Sequence, residues 1–95
     1  MKTLVFSPAA EADIDDIWDY SADNWEPDQA DRYTDAIRDT CHAIAAGDKR
    51  GRVVDIRAGY LKASTGSHIV YFRDSGEQVE VIRVLHVRQD VDRHL

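Results

Sequence analysis

The chain has 95 residues, of which 43% are apolar and 32% charged, and a formal net charge of −6. That size and composition predict one folded domain over residues 1–95 and exclude a disordered chain, and no apolar run approaches the roughly 18 residues of a membrane-spanning helix. The lone Cys41 excludes an internal disulfide and a cysteine-based zinc site.

The first strand is read in "KTLVF", with Leu4 and Phe6 on one face. The apolar stretch is too short for a leader peptide and acids follow at once, so a cytoplasmic location is expected. "SP" then starts a helix, with Ser7 as N-cap and Pro8 at the first helical position. Ala10, Ile14, Ile17, Trp18 and Ala22 form its apolar stripe to about Asn24, and the "DIDD" carboxylates read as a solvated face. "NWEPDQ" breaks the helix, because Pro27 restricts Glu26 to extended angles. A second helix over 28–46 carries Ala30, Tyr33, Ile37, Cys41, Ile44 and Ala45 as its stripe, and Gly47 ends it. So short a connection predicts a helical hairpin. Cys41 on the stripe reads as a buried structural thiol.

Beyond "GDKRGR" the periodicity changes to that of strands. "VVDIR" is a weak strand or extended loop. "GYLKAS" and "HIVYFRD" flank the hairpin turn "TGS". "VEVIRVLHV" is apolar on both parities, as in an interior strand, with Val79, Val81, Leu85 and Val87 expected on one face. Tyr71 and Phe72 face opposite ways, so one of them is expected to be exposed outside the helix-covered core.

These elements predict an α+β fold: a β-α-α-β-β-β chain whose helical hairpin packs on one face of a small curved, mainly antiparallel sheet. Nothing in the sequence supplies a layer for the other face. Charge is divided in the same way. Residues 1–48 hold 12 acidic and 3 basic residues, whereas residues 49–95 hold 6 acidic and 9 basic. The uncovered face, fed by Arg57, Lys62, Arg73, Arg83, His86 and Arg88, with Arg93 in the tail, is the expected working surface.

The chain lacks a nucleophile elbow, a Walker loop, a dinucleotide-binding glycine motif and a metalloprotease helix. No catalytic residue, cofactor or metal site is predicted. His68 beside its turn reads as held by a local hydrogen bond. His86 and Arg88 share strand parity and are expected to project together.

Taken together, "SPAAEADIDDIWDYSADNW", "QADRYTDAI", "AGYLKASTGSHIVYF" and "VIRVLHVRQDVDRHL" resemble the ParE branch of the RelE/ParE type II toxin superfamily along the whole chain. The resemblance implies the same fold and a toxin held inactive by a cognate ParD-like antitoxin. ParE-like members are implied to poison DNA gyrase, and RelE-like members to cut messenger RNA on the ribosome. The RelE-like alternative would use Arg83, His86 and Arg88. An inactive homologue that only binds its antitoxin is a further alternative. Val91-Asp92 stands where RelE-like enzymes often have a tyrosine, and the chain is acidic, so gyrase is the favoured target and direct nucleic-acid binding by this chain alone is not expected.

Overall fold

In the computed structural model, which describes residues 1–89 and 91–95, the chain runs β1 (Thr3–Phe6), α1 (Pro8–Asn24), α2 (Pro27–Ala46), β2 (Arg52–Val53), β3 (Leu61–Thr65), β4 (His68–Asp74), β5 (Gln78–His86) and α3 (Val91–His94). Ser7 starts α1 as its residue type dictates: its hydroxyl accepts the Ala10 N–H at 3.0 Å and donates to the Ile82 carbonyl at 2.7 Å. One side chain thus satisfies an orphan helix donor and pins the helix start to the sheet. Pro27 opens α2, and Gly47, in the left-handed region at φ 83°, closes it.

The strand order is β1-β5-β4-β3-β2. All neighbours pair antiparallel except β1 and β5, which run parallel. A parallel pair needs a long crossover. The helical hairpin, leaving β1 and packing over the sheet, provides its bulk.

Ile14, Ile17, Ile37, Cys41 and Ile44 of the hairpin pack against Val70, Phe72, Val79, Val81 and Val84 of the sheet. Each fully buried aliphatic side chain contributes about 1.5–3 kcal/mol. Cys41 is fully buried, and desolvation pushes its thiol up to about 12 against the lowering influence of Arg38. It is an inert packing group, as the helix stripe implies.

Strand β5 is interior, but its parity changes midway. Tyr71 pairs with Arg83 and Phe72 with Val81, leaving Ile82 as the extra residue of a bulge. Val84 therefore joins Val79 and Val81 under the helices, while Leu85 turns to the opposite face. Leu85 does not share a face with Val79 and Val81 as the alternation suggests. Val87 lies beyond the strand and is exposed.

The second face of the sheet is not bare, which corrects the sequence reading. Val54, Tyr71 and Leu85 form a second buried cluster, with Tyr60, Ile69, Val91 and Leu95 packed on it. Tyr71, only 5% exposed, is thus not a displayed aromatic. The cover consists of single apolar residues from the β2–β3 loop and from α3, a four-residue helix too short to show periodicity. No helix of the described residues is long and apolar enough to cross a membrane.

Candidate functional site

The outer sheet face carries the first candidate surface. Cross-strand partners share a face, and the register sets Arg52 of β2 opposite Lys62 of β3, Lys62 opposite Tyr71 of β4, and Tyr71 opposite Arg83 of β5. Arg57 and Arg73 flank the Tyr60 ring, their guanidinium carbons 5.4 and 6.0 Å from its centroid. Arg57 also donates to the Leu95 carbonyl. Arg57, Lys62 and Arg73 are therefore brought together, and Arg52, missed from the sequence because β2 is only two residues long, extends their row.

Arg83 is placed differently. Its Nε and terminal nitrogen donate to both Asp13 oxygens at 2.7 and 2.8 Å, and a further N–H reaches the His94 carbonyl at 3.3 Å. Asp13 also accepts the Val84 N–H at 2.9 Å. The hydrogen bond to Asp13 holds the Arg83 guanidinium protonated above its ordinary range, with burial opposing. Asp13 is thus not part of a solvated face, and Arg83 is tied inside the molecule.

His86 and Arg88 do not project together. Arg88 is exposed past the end of β5, and its backbone N–H donates to His86 Nδ1 at 3.1 Å. The His86 ring faces the other way, into a cleft of about 490 Å³ between α1, the start of α2 and the β3–β4 turn. Arg93 lies on α3, exposed.

That cleft is the second surface. Trp25, Tyr33, His68 and His86 form a chain of edge-to-face rings with centroids 6.4, 5.5 and 5.2 Å apart. Asp16, Ile17, Tyr20, Ser21 and Val84 also line it. Gly66 makes the approach possible: at φ 58° it turns the β3–β4 hairpin, and a Cβ there would lie 2.8 Å from the Tyr33 hydroxyl. The Tyr33 oxygen accepts the Ser67 N–H at 3.0 Å and stands 2.6 Å from His68 Nδ1. The Tyr33 hydroxyl and His68 Nδ1 share one short hydrogen bond, whose donor is set by the imidazole tautomer. Burial first, and then neighbouring His86, lower the His68 pKa below its ordinary value. His68 is therefore held by a contact 35 residues away rather than by the local bond its turn suggests.

A helical hairpin on one face of an open five-stranded mixed sheet, with a charged outer face, is the architecture of a class of small toxins. The structure superposes on a chain of the "Chromosomal ParDE TA system from P. aeruginosa" with a TM-score of 0.82, covering 93% of this chain and 98% of that one at 22% identity. It also superposes on the "YoeB/ParE toxin from Agrobacterium tumefaciens" with a TM-score of 0.57, covering 90% and 98% at 21% identity. In sequence it is 48% identical to "Toxin ParE1" of Mycobacterium tuberculosis (strain ATCC 25618 / H37Rv), over 96% of this chain and 95% of the relative. It is 41% identical to "Toxin ParE1" of Caulobacter vibrioides, over 100% and 99%. Residues 4–91 match the family described as the ParE toxin of the type II toxin–antitoxin system, parDE. The chain belongs to the ParE toxin family.

Proposed function

We propose that this toxin acts in the cytoplasm by docking on DNA gyrase through its cationic outer sheet face, without bond-breaking chemistry, and that a ParD-like antitoxin neutralises it by occupying that face. The observation that carries this reading is the clustering of Arg52, Arg57, Lys62 and Arg73 around Tyr60 and Tyr71 on one face of a chain whose net charge is −6. An acidic segment complements that cluster. Beyond Lys62 the outer edge of β3 has no neighbouring strand among the described residues, so an extended antitoxin segment can add there by main-chain hydrogen bonds.

The contacts of the basic groups argue against the messenger-RNA-cutting alternative. Cleavage by a 2′-hydroxyl needs cations around the developing phosphorane charge, close to an acid and a base. Arg83 is spent on Asp13, and both His68 and His86 share their cleft with Asp13 and Asp16. Asp16, whose charge no cation offsets among the described residues, opposes a phosphate there. In the deciding assay purified gyrase supercoils relaxed plasmid in the presence of the full chain, and programmed ribosomes are incubated with it in parallel. Loss of supercoiling with intact message is the expected outcome; discrete cuts in the ribosomal A site with undisturbed supercoiling would replace this reading by the RelE-like one.

A further inference from the structure

The aromatic cleft lies on the helix-covered side of the sheet, away from the cationic face, and takes no part in the docking proposed for that face. We propose that it is a receptor for a single guanidinium group, an arginine projecting from a partner protein. The inference stands whether or not gyrase is the target.

Charge selects the ligand's sign. Of the two carboxylates in the cleft, Asp13 is neutralised by Arg83, whereas Asp16 has no ion-pair or hydrogen-bond partner among the described residues. An anion would meet Asp16 uncompensated. A cation would meet a free acceptor.

Ring geometry selects its shape. Trp25 and Tyr20 are 59% and 67% exposed at the mouth, and Tyr33 continues the wall inward. Aromatic faces around a carboxylate suit a flat, weakly hydrated cation, which can stack on a ring while its edge donates to oxygen. An ammonium has the charge but not the plane.

A small hydroxyl residue marks the depth to which the ligand reaches. Ser21 is 2% exposed and lines the cleft. With Asp16 it gives the planar fork two acceptors.

A metal ion is a poorer fit. His86 Nδ1 accepts the Arg88 N–H, so that nitrogen carries no hydrogen. A neutral imidazole binding a metal through Nε2 would need its hydrogen on Nδ1, where that backbone donor already points.

The test uses the isotope-labelled full chain and three blocked tripeptides, glycyl-X-glycine with X as arginine, citrulline or glutamate, followed by NMR titration. The arginine peptide is expected to shift the Trp25 indole and Ser21 signals saturably at millimolar concentration, and the isosteric but uncharged citrulline to bind at least about tenfold more weakly. Asp16→Asn, at an exposed and unpartnered position, is expected to weaken the arginine peptide about fivefold or more with an unchanged melting temperature. Trp25→Ala is expected to do the same. Equal binding of citrulline, preferential binding of the glutamate peptide, or no saturable shift at Trp25 and Ser21 would each overturn the proposal.

Discussion

Asp13 accepts three hydrogen bonds, two from the Arg83 guanidinium and one from the Val84 backbone, with its side chain 13% exposed. Removing it leaves a mostly buried cation with only the His94 carbonyl as partner and a backbone donor without its acceptor. Asp13→Ala is therefore expected to cost about 3 kcal/mol, read as a lower urea midpoint at unchanged m-value. This pair was invisible in the sequence: its members are 70 residues apart, and Asp13 sits in a run of acids that fits a solvated helix face equally well. His68 makes a second residue-scale point. Its folded pKa lies below the unfolded value of about 6.5, so the unfolded chain binds the extra proton first. The stabilisation is complete above that value and is lost as pH falls through the folded pKa. Acidification from pH 8 to 5 is expected to lower the melting temperature of the wild type, and the change should be smaller in His68→Asn; equal slopes would remove His68 from this role.

Among the elements, the two helices were legible because each carries its own start, stripe and stop: Ser7-Pro8, Pro27 and Gly47 are local signals with local causes. Strands β1, β3, β4 and β5 and the β3–β4 turn were legible for the same reason, whereas the two-residue β2 was not. What escaped was set by contacts between distant segments. The bulge at Ile82 is a property of the pairing between β4 and β5, not of the apolar run that contains it. The cover of the outer face comes from Val54, Tyr60, Val91 and Leu95, scattered residues with no periodic pattern. The tail α3 matters despite its length. Deleting residues 91–95 is expected to expose Tyr71 and Leu85 and to cost about 2–4 kcal/mol, from two partly buried aliphatic side chains. Dye binding to exposed apolar surface and the urea midpoint together check it. At the β3–β4 turn, Gly66→Ala faces both a left-handed φ of 58° and a contact with Tyr33, 2.8 Å from the added carbon. It is expected to destabilise the fold by about 1–3 kcal/mol and to separate Tyr33 from His68, seen by NMR as a His68 imidazole that titrates closer to its ordinary range as its burial is relieved.

At the scale of the whole molecule, the division of charge between the two halves of the sequence becomes a division in space. The acids lie largely on the helical hairpin and the cations on the sheet's outer face and its loops. The sequence suggested two differently charged surfaces and named Arg57, Lys62 and Arg73 for one of them. It could not show that Arg83 is consumed internally or that His86 belongs to a separate aromatic cleft, because both depend on how β5 meets α1 and β4. Binding through the cationic face is expected to weaken as ionic strength rises, since exposed charges are screened over about 8–10 Å at physiological salt. The gyrase supercoiling assay, run with wild type and with the Lys62→Glu/Arg73→Glu variant at matched fold stability, puts the docking reading under the most direct strain. Inhibition by micromolar wild-type chain, lost at least about tenfold in the charge-reversed variant, is the expected result. Undiminished supercoiling with the wild type, or equal potency of the two proteins, would contradict it.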